Sequence, residues 1–275
     1  MKTHKLAPKI FLALLVCYLL LPFAVTLIYS LFTEWTGLLP SGFTLRNYRE
    51  LFADGEFWGS IGRTLLICVV SVCLSILLLL FAMYVVVMVC PRLGKFIQFS
   101  CMIPYALQGV ILSISIVSIY SGTGTIFSNR MTMLFGAYSI LVLPYIYQGI
   151  RNNLNAINAK TLIQAAQMLG CGEFAAYVRI VIPNILPGIM VSALLAQSIV
   201  FGDFVLANNI AGNSYQNIQL FLYTRMTKSS GLASAIVVVI FCTVFLVTAL
   251  VLKLQSKADG TTPVAQPEAD QKGQK

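Results

Sequence analysis

Six predominantly apolar stretches of this 275-residue chain run for twenty residues or more without a charged side chain: Ile10–Phe32, Thr64–Cys90, Phe96–Asn129, Met131–Ile150, Ile180–Gly202 and Ser229–Leu252. About 20 apolar residues of helix suffice to cross roughly 30 Å of hydrocarbon. With 58% apolar and 10% charged residues and a mean hydropathy of +0.86, the chain is of membrane class. The runs are continuously apolar and not alternating, which argues against a β-barrel. Phe96–Asn129 exceeds one crossing; its Ser121–Thr125 part reads as a loop, leaving a span of about Phe96–Tyr120. The expectation is an all-α polytopic membrane protein with about six transmembrane helices.

Lys/Arg bias sets the orientation. With a cytoplasmic N-terminus, only Arg46, Arg49, Arg63, Arg130, Arg225 and Lys228 of the 18 basic residues lie outside. Both termini and the segment 161–183 are thereby expected in the cytoplasm. The formal net charge of +9 is scattered along membrane edges, with no basic run interleaved with aromatics, so no nucleic-acid partner is expected. The seven cysteines lie almost entirely within expected helices and form no Cys-x-x-Cys pair; they read as small apolar residues. Ile10–Phe32 outruns a signal-peptide core and has no small-x-small cleavage site, and Val16 is bulky where a lipoprotein site before Cys17 wants a small residue. It reads as an uncleaved first helix.

The polar segment Thr161–Pro183 interrupts this apolar background. Thr161 and Gln164 have capping-box spacing, Ala165, Ala166 and Leu169 are helix formers, and Gly170 suits a left-handed stop. A short helix with a low-profile Ala face is expected, then a second from Glu173 to about Ile180, closed by Pro183. The spacing is Gln164-Ala165-Ala166, three residues, Gly170, nine residues, Ile180, one residue, Ile182-Pro183. This resembles the "EAA" signature of binding-protein-dependent ABC importer permeases: Glu-Ala-Ala, three residues, Gly, nine residues, Ile, one residue, Leu-Pro. Gln164 stands for the family's Glu and Ile182 for its Leu.

The resemblance continues at Phe43–Trp58, similar to the stretch leading into the second helix of such permeases. From Leu143 onward, through Phe201-Gly202-Asp203-Phe204, it is nearest the spermidine/putrescine, iron and phosphonate branch. It implies the type I importer permease (MetI-like) fold, with a cytoplasmic coupling helix formed by Thr161, Gln164, Ala165, Ala166, Leu169, Gly170, Ile180 and Pro183. It implies as partners ABC ATPase subunits, a second permease subunit (homologous or identical), an external solute-binding protein and the lipid bilayer of a bacterial inner membrane. The domain plan is a cytoplasmic N-terminus 1–9, a permease domain 10–254 and a disordered cytoplasmic tail 255–275.

Asp203 is the acid nearest the end of an apolar stretch. Facing a cavity, it favours a cationic, polyamine-like solute; the other reading is an interfacial acid paired with a base such as Arg225. Arg63 reads as interfacial. Trp35, Tyr48 and Trp58 read as interfacial aromatics, and Pro104 and Pro144 as bends. Gly188, Ser192, Ala193, Ala196 and Ser198 suit close helix contact, and Asn208–Gly231 reads as an external loop with an amphipathic patch at Ile218–Arg225. The alternative of a proton- or ion-coupled secondary transporter wants acid, base or His relays inside the membrane, and the expected spans are nearly bare of them. No His-Glu-x-x-His, Gly-x-Ser-x-Gly, carboxylate pair or Walker sequence is present, so neither an enzyme nor a cofactor is expected, and ATP hydrolysis falls to a partner.

Overall fold

The computed structural model describes residues 6–34, 41–107, 109–227 and 229–259. Trp35, the tail from residue 260 and the N-terminal lysines Lys2 and Lys5 lie outside them. Helix α1 (Leu6–Ser30) leads into a short antiparallel ribbon of β1 (Phe32–Glu34) and β2 (Ser41–Phe43), with Phe32 opposite Phe43. Then come α2 (Arg46–Ala53), α3 (Gly55–Met88), α4 (Leu93–Ala106), α5 (Gly109–Tyr120), α6 (Arg130–Ala156), α7 (Ala159–Met168), α8 (Glu173–Ala176), α9 (Ile182–Gly202), α10 (Ile218–Met226) and α11 (Ser230–Asp259). Among the described residues, five helical spans are long and apolar enough to cross a membrane. The bent pair α4–α5 makes a sixth if counted as one.

The centre is the packing of α6 between α3 and α9. Phe57, Ile67, Tyr138, Ile146, Tyr147, Ile150 and Ile185 are almost wholly buried there. Lipid provides little hydrophobic drive between helices, so close approach and hydrogen bonds hold them together. Across α3 and α6, Ser71 Oγ donates to the Phe135 carbonyl (3.3 Å) and Ser75 Oγ to the Ser139 carbonyl (3.0 Å). Across α6 and α9, a methyl group added at Gly149 would overlap Ser192, and one at Gly188 would overlap Asn153. Of the small residues expected to mediate close contact, Gly188, Ser192 and Ala196 are thus turned into the subunit, whereas Ser198 is exposed.

Three expectations change. The third span is not a single rod: α4 and α5 meet at 104°, and the break follows Leu107, not Pro104, which stays within α4. Pro144 lies within α6, which is helical on both sides of it. Residues 255–259, assigned to the polar tail, continue α11 as helix. The segment after α9, expected as an external loop, is largely helical: Asn217 caps α10 by accepting from the Leu220 N–H (2.9 Å), and Ile218, Leu220 and Phe221 are buried.

Toward the same end of the bundle, Tyr48 hydrogen-bonds the Ser30 hydroxyl (2.7 Å) and Asn47 donates to the Ser30 carbonyl (3.1 Å), tying α2 to the end of α1. Trp58 is exposed, with its indole N–H on the Phe52 carbonyl (3.1 Å). Helix α1 otherwise packs chiefly on α11, through Phe23 against Phe241 (5.1 Å between ring centroids), and turns most of its apolar surface outward.

Candidate functional site

The segment singled out in the sequence forms α7 and α8, but its start differs from the expected capping box. Helix α6 ends at Ala156, and a two-residue turn through Ile157 and Asn158 starts α7 at Ala159. Asn158 has φ 49°, ψ 55°, the one non-glycine positive φ among the described residues. Asn tolerates this left-handed region better than most residues. The Thr161 N–H bonds the Asn158 carbonyl (2.9 Å), so Thr161 lies inside the first turn and no side chain caps the helix. The short turn leaves no room for a later start.

The far end is as predicted. Gly170 has φ 83°, its N–H bonds the Gln167 carbonyl (2.9 Å), and the Cys171 N–H reaches back to the Ala166 carbonyl (3.0 Å). This is a left-handed glycine stop with both orphan carbonyls satisfied.

The Ala pair is split between two faces. Ala159, Ile163 and Ala166, at helical spacing, are buried in the chain's own body. Thr161, Gln164 and Ala165 face outward, and the outward face ends in Met168 and Leu169, 90% and 89% exposed. The expected low Ala surface is thus a stripe of short side chains finishing in an apolar knob. Met168 lies outside the signature spacing; two large apolar residues directly before the stop glycine are the signal available in the sequence.

Beyond Gly172 the chain does not close at Pro183. Glu173–Ala176 continues through a wide π-helical turn, Tyr177–Val181, into α9. The Ile182 N–H bonds the carbonyl five residues back, at Tyr177. Pro183 then directly follows the π-helical turn, inside a continuous helical stretch to which it supplies no N–H. The Asn184 side chain donates to the Ile180 carbonyl (2.8 Å), and Ile180 packs against the core. Tyr177, also unflagged by the sequence, is buried, its hydroxyl donating to the Leu80 carbonyl of α3 (2.9 Å) and its ring 5.1 Å from that of Tyr84. Helix α8 is therefore continuous with α9, and the turn that joins them is fastened to α3.

Asp203 stands just past α9, far in sequence from this segment. It accepts from the Tyr138 hydroxyl (3.0 Å) and from the Leu206 N–H (2.9 Å), capping the helical turn that follows. Burial pushes its carboxyl pKa up, and the bonds from Tyr138 and the backbone N–H groups oppose that shift. Arg225 is not its partner: it pairs with Asp54 (2.6 Å) and lies over the Phe221 ring (5.0 Å). Arg63 is half-buried, its guanidinium 5.9 Å from the Tyr215 ring centroid. Among the described residues no cluster of His, Cys, Asp or Glu is placed to hold a metal ion.

Residues 57–258 match the family described as "Binding-protein-dependent transport system inner membrane component". The chain is 23% identical over 193 residues to a Salmonella typhimurium protein named as a 2-aminoethylphosphonate transport system permease, covering 69% of this chain and 71% of that protein. It is 25% identical over 257 residues to a multiple sugar-binding transport system permease of Streptococcus mutans, covering 82% and 86%. To a spermidine/putrescine transport system permease of Escherichia coli it is 20% identical over 216 residues, covering 78% and 81%. A solved bacterial ABC transporter involved in importing the acidic polysaccharide alginate contains a chain of like fold, with a TM-score of 0.65 at 18% identity, covering 91% of this chain and 95% of that one.

Proposed function

We propose that this chain, which belongs to the family of binding-protein-dependent transport system inner membrane components, moves a small solute when a separate ATPase pushes on α7. As a member it is a permease subunit of an ABC importer in the inner membrane, a transport protein and not an enzyme. The observation that carries the proposal is the Met168–Leu169 knob, presented on a helix whose opposite face is buried in the chain's own body. A helix seated inward and bare outward is built to be gripped by a partner.

In this reading α7 lies in the cytoplasm, as the Lys/Arg bias favours, and an ATPase groove receives the knob. Closure of the nucleotide domains displaces α7. Packed cores shift as blocks instead of deforming continuously, so the buried Ile163 and Ala166, together with the Tyr177–Leu80 bond, carry the displacement into α3, α6 and α9. A second permease subunit completes the pathway and an external binding protein delivers the solute. Gln164 retains hydrogen-bonding capacity toward the ATPase without the family's charge.

Asp203 favours a polyamine-like cation less than its position in sequence suggests, because the Tyr138 hydroxyl and the Leu206 N–H both bond its Oδ2 and commit the carboxylate within the chain. The choice among an aminophosphonate, a sugar and a polyamine then rests with the binding protein. The test uses a Leu169→Cys variant with the seven native cysteines replaced by Ala, in oriented vesicles. Without the ATPase, a membrane-impermeant thiol reagent should reach the new cysteine from the cytoplasmic side alone; in the intact complex that labelling should fall and a short bifunctional cross-linker should join the cysteine to the ATPase. Labelling from the outer side refutes the proposal.

A further inference from the structure

A cleft of about 570 Å³ opens between the end of α3, the turn into α4, the end of α6 and the start of α7. Lys95, Arg151 and Lys160 reach it from three different elements, and no Asp or Glu lines it. Neither ion pair found among the described residues involves any of the three. Arg151 lies over the Tyr147 ring (5.9 Å to the centroid), which fixes a planar donor fork at the wall. The start of α7, which carries no side-chain cap, lines the same space through Ala159 and Lys160. The opposite wall is apolar, from Met83 and Val86 near the end of a membrane-spanning helix.

A general excess of cytoplasmic cations does not bring three of them into one acid-free cleft. Mutual repulsion opposes that convergence unless an anion offsets it. We propose that the cleft binds a phosphate-bearing group at the cytoplasmic face. The three cations take the phosphate oxygens through charge-assisted hydrogen bonds. The apolar wall suits the first carbons of an acyl chain, which favours the headgroup of an anionic inner-leaflet phospholipid over a free phosphate compound. Binding is read without transport or ATPase, so its failure is separable from failure of the docking proposal.

The full-length chain in detergent is titrated separately with phosphatidylglycerol, phosphatidylcholine and inorganic phosphate, and bound ligand is counted by native mass spectrometry. Phosphatidylglycerol should bind at least tenfold more tightly than phosphatidylcholine. The triple variant Lys95→Gln, Arg151→Gln, Lys160→Gln should lose that preference. A control that neutralises as many cytoplasmic-side cations outside the cleft (Arg92→Gln, Arg179→Gln, Lys253→Gln) should keep it. Should the triple variant fold poorly, the Lys95→Gln, Lys160→Gln pair, both exposed, should still show at least a threefold loss. Displacement of lipid by millimolar inorganic phosphate supports the site and assigns it to a free anion. Equal loss in the control, or unchanged binding in the cleft variants, overturns the inference. So does expulsion of bound lipid on adding the ATPase, which gives the cleft to an acidic protein surface.

Discussion

Replacing Leu169 by Ser separates docking from folding. Leu169 is 89% exposed, so the subunit alone has almost nothing to lose from the change, and surface substitutions usually shift stability by no more than about 0.5 kcal/mol. If the side chain enters an ATPase groove, burying it there contributes about 2 kcal/mol. That is close to thirtyfold in the dissociation constant. Met168, 90% exposed, adds a contribution of the same kind. Because the two are adjacent, the double change Met168→Ser, Leu169→Ser should fall short of the product of the single effects. The assay measures retention of the ATPase by the detergent-solubilised complex on dilution, alongside the thermal melting of the permease alone. The expected result is weakened retention with unchanged melting. Wild-type retention in the double variant refutes α7 as the grip, and a large drop in melting refutes the knob as a free surface.

Gly149→Ala should destabilise the α6–α9 contact by about 1–3 kcal/mol through overlap with Ser192. Gly136→Ala, on the same helix with nothing within 4 Å of the new methyl, should be neutral or stabilising by up to about 1 kcal/mol; thermal melts in detergent compare the two. Asp203→Asn keeps an acceptor for Tyr138 and for the Leu206 N–H, so uptake should survive, whereas Asp203→Ala loses the cap at about 0.5–2 kcal/mol of stability. Loss of uptake in Asp203→Asn with normal melting would instead make the charge part of the solute path. Gln164→Glu restores the family's acid on the exposed face, and ATPase retention should rise by no more than about 1 kcal/mol, with the gain disappearing at high salt. A gain that survives high salt would argue against a simple exposed ion pair.

The spans were legible because their side chains leave no alternative: charge-free runs such as Thr64–Cys90 have only lipid or other helices to face. The break between α4 and α5 was not, since Ala106, Leu107 and Gly109 carry no charge or Pro that would mark it, and the Pro that drew notice, Pro104, sits within α4. In α7 the stop was legible from Gly170 alone, because a left-handed residue is a local property. The start was misplaced because the length of the preceding helix decided it. The inward stripe Ala159, Ile163, Ala166 was present at helical spacing, but attention to the Ala pair obscured that adjacent alanines lie about 100° apart on a helix and cannot share one contact face. Tyr177 and the meeting of Lys95, Arg151 and Lys160 depend on contacts between elements distant in sequence, which no spacing records.

These observations converge on Gln164. It lies on the exposed face of α7, one turn after Lys160, where the family's Glu would stand within reach of that cation. Gln offers Lys160 no counter-charge, so Lys95, Arg151 and Lys160 line the cleft without an acid beside them. In the proposed docking, with no acid at that position, attraction between the subunits falls more heavily on Met168 and Leu169, whose apolar contact is insensitive to salt. Under the two proposals, the one departure from the signature that changes charge therefore acts in two places. It moves the proposed grip toward hydrophobic contact, and it leaves an uncompensated cation where the proposed anionic group would bind.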